Sequence, residues 1–145
     1  MAKEKKYKVA VTVGVFDCFH HGHANLLNEM GKVADRVVVF IHDDISTYEN
    51  KKRFPVQPLQ QRVNNMVATG LANYVVMLHS ADPSERLFQF LKTEQNLRGD
   101  VVYMRGDDWP EFPGKQMLVD LGIPIELIKY TEGISTTQIR KEVGV

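Results

Sequence analysis

Val9-Ala-Val-Thr-Val-Gly-Val-Phe-Asp-Cys-Phe-His-His-Gly-His23, continued by Leu26, Leu27, Met30, Val33 and Ala34 and then by Arg36-Val-Val-Val-Phe-Ile41, decides the fold. Residues 9–13 form a short β-branched run stopped by Gly14, which reads as a buried strand. From His23 the apolar residues recur at helical intervals, so a helix follows a Gly-bearing loop. Residues 36–41 are almost uninterruptedly apolar, the pattern of a central parallel strand covered on both faces. Strand, loop, helix, strand is a βαβ unit, and its crossover is right-handed.

Outward from that unit the alternation repeats. The polar stretch 42–58, with its basic cluster Lys51-Lys52-Arg53, reads as a long functional loop. Pro58 is expected in the first turn of a helix carrying Leu59, Val63, Met66 and Val67, with Gly70 as its C-terminal cap. Tyr74–Leu78 reads as a third strand, and Asp82-Pro-Ser-Glu85 has the form of an N-cap, a first-turn proline and a capping-box acid. A strand at 100–104, a short helix near 114–121, a strand at 123–128 and a helix opened by Ser135-Thr-Thr-Gln138 complete the chain. These elements give an α/β fold, a doubly wound sheet of about five parallel strands with helices on both faces.

Composition narrows the function classes. At 145 residues and 16.6 kDa, residues 1–145 are expected to form one domain around one core. Eighteen basic residues balance eighteen acidic ones, so net charge does not draw the chain to nucleic acid, and any anion site must be built locally. A single cysteine, Cys18, precludes an intrachain disulfide and fits a reducing, cytoplasmic setting. No apolar run approaches the ~20 residues of a membrane helix, in line with a mean hydropathy of −0.25.

In open α/β sheets, ligands bind beyond the carboxyl ends of the strands, where the strand order reverses. Four polar segments are expected there: 14–23, Lys51 to Arg53 with Arg62, Arg105 to Trp109, and Thr131 to Thr137. The first places His20 and His23 around Gly22 at a helix mouth, where free amides and a partial positive charge suit phosphate. Either these histidines donate to an anion or they cap the helix. A zinc site from Cys18, His20, His21 and His23 lacks the second ligand pair that structural zinc requires. Neither G-x-x-x-x-G-K-[ST] nor G-x-G-x-x-G occurs, which argues against a Walker-type ATPase and a dinucleotide oxidoreductase.

Gly14-x-Phe16-Asp17-x-x-His20-x-Gly22-His23, Arg105-Gly-Asp-Asp-Trp109 and Tyr130-Thr-Glu-Gly-Ile-Ser-Thr-Thr137, in this order, resemble the His-x-Gly-His nucleotidyltransferases. Within that superfamily the chain is similar to the small cytidylyltransferases, glycerol-3-phosphate cytidylyltransferases above all, along nearly its whole length. The resemblance implies a Rossmann-like fold and attack of a substrate phosphate on the α-phosphate of CTP, with Mg2+ assisting and pyrophosphate released. By the same resemblance, His20 and His23 contact the triphosphate, and Asp17 sits at its phosphate and metal end. Lys51 or Lys52 neutralises phosphate together with Arg62, while Asp107 and Trp109 form the cytosine pocket. Gly14, Val15, Phe16 and Gly22 bind nucleotide from the first loop and Thr131, Gly133, Ile134, Ser135 and Thr136 from the last, with Ser135 and Thr136 at the β- and γ-phosphates. The acceptor implied is glycerol 3-phosphate or a related polyol or sugar phosphate, and the assembly a homodimer. Departures from the pattern are Val15 in place of a common threonine, Tyr130 in place of an arginine, and Gly70 and Asn73 where an Arg and an Asp are expected near the acceptor. Adenylyl transfer and non-catalytic nucleotide binding are the alternatives.

Overall fold

The computed structural model describes residues 5–93 and 99–129. The elements are β1 (Tyr7–Gly14), α1 (His21–Val33), β2 (Ala34–His42), α2 (Asp44–Lys51), α3 (Leu59–Thr69), β3 (Tyr74–Leu78), α4 (Ser84–Thr93), β4 (Val101–Gly106), α5 (Lys115–Asp120) and β5 (Ile125–Ile128). The five strands lie in the order β3-β2-β1-β4-β5, and every pairing is parallel. Chain order reverses between β1 and β4, so the carboxyl ends of those two strands flank the switch point.

Period-two alternation divides the sheet into two faces. Val9, Val11 and Val13 of β1, with Val38 and Phe40 of β2, join Leu87 and Leu91 of α4 and Leu118 of α5 in one core. On the other face Ala10, Val37, Val39, Ile41 and Met104 pack with Leu27 and Met30 of α1 and Met66 of α3. The expected doubly wound sheet with helices on both faces is therefore what forms. No described helix is long and apolar enough to cross a membrane.

Three local expectations need correcting. The stretch 42–58 is not all loop, because α2 occupies Asp44–Lys51. Its side chains are too polar to show a hydrophobic stripe, and the two it buries are Ser46 and Thr47. What starts it is Asp43, whose carboxylate accepts the Ser46 amide at 2.7 Å; Lys52 ends it in the left-handed region at φ 59°. Ala34 does not close the first helix; it opens β2, paired with Tyr7. At α4 the helix begins at Ser84, one residue later than the proline signal implied, although Asp82 still accepts the Ser84 amide at 2.9 Å. Gly70 caps α3 in the left-handed region at φ 69°, as expected. The helix expected from Ser135 lies outside the described residues.

Candidate active site

The loop from β1 to α1 turns through two non-glycine residues at positive φ, Phe16 at 53° and Cys18 at 50°. Such backbone is strained and persists only where its surroundings hold it. Asp17, between them, supplies the hold: its carboxylate is buried and accepts the Val56 amide at 2.7 Å and the Gln57 amide at 3.0 Å. The Cys18 amide in turn donates to Gln57 Oε1. Gly14 is required here, since a Cβ would sit 2.8 Å from the Phe16 ring.

At the mouth of α1 the His-x-Gly-His segment forms a capping box made of imidazoles. His20 is the N-cap, and its Nδ1 accepts the Gly22 amide at 3.1 Å. His23 reaches back, and its Nδ1 accepts the His20 amide at 3.2 Å. The two rings stack at 3.8 Å, with Phe16 and Phe19 each beside His23. An Nδ1 that accepts from a backbone N–H carries no proton, so this geometry assigns both histidines as the neutral Nε2–H tautomer. Electrostatics agree. Burial, then His20 and Lys51, lower the His23 pKa to about 3, and burial followed by His21 lowers that of His20. The two candidate roles are thus compatible: each ring caps the helix through Nδ1 and retains a proton on Nε2.

Arg62 has a different place from the one expected. It is fully buried, with Nε donating to Gln57 O at 2.9 Å and one terminal nitrogen donating to Val15 O at 2.9 Å and His42 O at 2.6 Å. The other terminal nitrogen pairs with Asp44 at 2.7 Å. The guanidinium therefore joins the ends of β1 and β2 to α2 and the 54–57 loop. Asp17 is engaged within the loop: its carboxylate accepts the Val56 and Gln57 amides, with Cys18 Sγ at 3.9 Å, and among the described residues no group of three or more His, Cys, Asp or Glu side chains surrounds a metal position.

Beyond the strand ends lies an open basin of about 370 Å3 lined by Asn50, Lys51, Arg53, Asp108 and Trp109. Lys51, at the end of α2, has its pKa lowered by desolvation and by Arg53 and Arg105, against the opposing pull of Asp108. Trp109 is 37% exposed, which suits a contact surface better than a core position. Asp108 is the acid that lines this basin among the described residues, and the backbone amide of its neighbour Asp107 donates to Ile128 O at 3.0 Å, tying β4 to β5. Sharing Asn50, Lys51 and Trp109 with the basin is a narrow inner recess of about 60 Å3, walled by Val13, Gly14 and Val15 and by residues of β2 and β4.

Sequence reasoning missed His42 and Tyr103, and gave no individual role to Arg105 and Asp108 within the segment expected at the site; His42, Tyr103 and Arg105 line the recess. His42 is held by Ser46 Oγ at 3.0 Å, and burial, opposed by Asp43 and aided by Lys51 and Arg62, lowers its pKa to about 4. Its place at a strand's carboxyl end was a usable signal, as was that of Arg105; Tyr103 offered none, because an aromatic inside a strand reads as core. Asn73, one of the two positions expected near the acceptor, exchanges hydrogen bonds with Val37 where β3 begins beside β2. Thr131, Gly133, Ile134, Ser135 and Thr136 lie outside the described residues.

Comparison with known proteins agrees with this geometry. A family model described as cytidylyltransferase-like matches residues 11–142. The bifunctional protein HldE of Photorhabdus laumondii is 31% identical over 144 residues, covering 98% of this chain and 29% of its own length. Its counterpart from Proteus mirabilis is 30% identical over 141 residues, with 96% of this chain and 28% of its own length covered. This chain therefore spans under a third of those relatives. Among solved structures, a lipopolysaccharide core biosynthesis protein from Thermoplasma volcanium shares the fold at a TM-score of 0.60 and 22% identity, over 86% of this chain and 97% of that one. A bifunctional NMN adenylyltransferase/ADP ribose pyrophosphatase from Francisella tularensis shares it at 0.59 and 14%, over 96% and 43%.

Proposed function

The chain belongs to the cytidylyltransferase-like family, and from that premise we propose that it transfers a nucleotidyl group, CMP from CTP, to the phosphate of a small phosphorylated alcohol such as glycerol 3-phosphate or a related polyol or sugar phosphate. An oxygen of the acceptor phosphate attacks the α-phosphorus, the bond from that phosphorus to the bridging oxygen of the β-phosphate breaks, and pyrophosphate leaves with the electron pair. The observation that carries this reading is the imidazole capping box, in which both Nδ1 atoms are occupied by backbone amides and both Nε2 protons remain for an anion. Neutral donors fixed before the substrate arrives stabilise charge that builds on phosphoryl oxygens without reorganising. Lys51 adds a full positive charge from the basin side.

Magnesium belongs to this proposal as a partner of the nucleotide's phosphates, which is how the ion commonly binds; here the protein's own part is the donor array. Trp109 and Asp108 on the basin are the candidates for reading the base. A homodimer is also part of the reading, and sedimentation velocity tests it.

Incubating the protein with CTP, magnesium and a panel of phosphorylated alcohols and sugars should release pyrophosphate. Silence with both CTP and ATP across the panel would end the proposal. ATP as donor is the second reading, prompted by the adenylyltransferase named among the structural relatives. Calorimetric comparison of CTP and ATP separates the two.

A further inference from the structure

Helix α2 carries Lys51 to the basin, yet its own place is not set by apolar packing. It buries Ser46 and Thr47 and leaves Ile45 65% and Tyr48 44% exposed, the reverse of an ordinary surface helix. Eight residues are too few for a stable helix on their own, so the attachment must come from elsewhere. Hydrogen bonds to the segment that follows β3 supply it at both ends. At the start the Asp43 amide donates to Leu78 O at 2.8 Å, and the Asp43 carboxylate, which caps the helix through the Ser46 amide, meets His79 Nδ1 at 2.9 Å. At the end Asn50 Nδ2 donates to Ala81 O at 3.0 Å, one residue before Lys51. Between them the His42 imidazole bonds Ser46 Oγ at 3.0 Å and also meets the Ser80 backbone.

Lys51 itself has no tether. Its ammonium makes no hydrogen bond or ion pair among the described residues, and Arg53 and Arg105 repel it while Asp108 attracts it. A flexible four-carbon stem in such a field goes where its backbone puts it. We infer that residues 78–81 place the Lys51 ammonium, and that Asp43 and Asn50 are positioning residues that clamp α2 to them at its two ends. The inference rests on the proposed nucleotidyl transfer for what Lys51 meets, the nucleotide's phosphates; the clamp itself follows from the hydrogen bonds. Asp43 is the telling member. It lines neither the basin nor the recess. The helical rise of about 1.5 Å per residue sets it about 12 Å from Lys51, so any effect it has on ligand binding passes through the helix.

The test is calorimetric titration of CTP and of inorganic tripolyphosphate into the whole chain and its variants, with hydrogen exchange of the peptide covering residues 44–52. Asn50→Leu, which is close in size and lacks the amide, and Asp43→Ala should each bind both probes about five- to ten-fold more weakly, the scale of a lost hydrogen bond. Both should speed exchange in that peptide while β1 and β4 exchange as in the wild type. Asp43→Asn, which preserves the cap, should restore affinity to within about two-fold. The decisive arm is a double-mutant cycle. In a Lys51→Ala background, itself weaker by about ten-fold or more, neither Asn50→Leu nor Asp43→Ala should weaken binding further. Additive losses, unchanged exchange in 44–52, faster exchange spread over the whole sheet, or no binding of either probe by the wild type would each overturn the inference. Coupling through Lys51 without pyrophosphate release from CTP or ATP under any condition upholds the clamp and sinks the transfer reading instead; additive losses with release do the reverse.

Discussion

Arg62 and Arg105 are the same side chain put to opposite uses within one site. Arg62 is wholly buried and directs its donors to three backbone carbonyls and Asp44. Arg105, on β4, is held by aromatic faces and keeps a buried Nε without a partner among the described residues. A buried guanidinium that is fully matched fixes geometry, whereas one left unmatched is an open valence for something that arrives later. The difference shows that a conspicuous arginine beside a phosphate motif is not thereby a phosphate ligand. Its partners in the folded chain decide.

The strongest way to break this contrast is Arg62→Ala. Loss of the guanidinium leaves the Gln57, Val15 and His42 carbonyls without their donor, at about 1–3 kcal/mol for each buried group left unsatisfied, so the variant should show a large drop in the urea midpoint. Arg62→Lys should not rescue it, because an ammonium lacks the planar fork that meets four oxygens. A variant that keeps wild-type stability and loses only nucleotide affinity would return Arg62 to the role of ligand.

Next in size is the separation of cap from chemistry at His20. Asparagine is among the best N-cap residues, so His20→Asn should retain melting temperature while turnover falls roughly 10²-fold, as when a transition-state donor is lost. Near-wild-type turnover in His20→Asn would reduce His20 to a cap.

Acid should weaken the fold through the neutral histidines. Folded His23 and His42 take a proton only near pH 3 and 4, against an ordinary value of 6.5. Between those limits the unfolded chain binds more protons, so stability falls as pH drops from 6.5 toward 4 and, for His23, on toward 3. Asp43 adds to this at the acid end. Although burial pulls its pKa upward, the Ser46 amide and His79 hold it below the usual value. Melting temperatures measured from pH 7 to 4 test the slope, and a flat profile contradicts the assignment of neutral rings.

The smallest effect completes the comparison. Tyr103→Phe should change stability by no more than about 1 kcal/mol and in the stabilising direction, since the hydroxyl it removes makes no hydrogen bond among the described residues. A clear loss of stability would mean that the phenol is already satisfied.

Much of the fold was legible in residues 9–41, because strand and helix periods differ and the change from one to the other is visible at Gly14 and His23. Tyr74–Leu78 was legible for the same reason, with the same bounds in the structure. Helix α2 was not, since its buried residues are Ser46 and Thr47 and its signal is a polar cap rather than an apolar stripe. At the site, His20, Gly22, His23, Lys51 and Trp109 were identifiable as side chains at loop and strand ends. That Asp108 lines the basin was not legible, because adjacent acids are equivalent in sequence until the turn after β4 is formed.

By itself the sequence determined the alternation of elements, the doubly wound sheet and the imidazole pair at the first helix, because these depend on local spacing and on which residues prefer caps. Only the tertiary structure decided which charged groups are matched. Whether Asp17, Arg62, Tyr103 and Arg105 face backbone amides, carbonyls, aromatic rings or a recess depends on segments dozens of residues apart meeting at the carboxyl ends of the strands. Hydrogen-bond saturation is a property of that meeting and not of the residue.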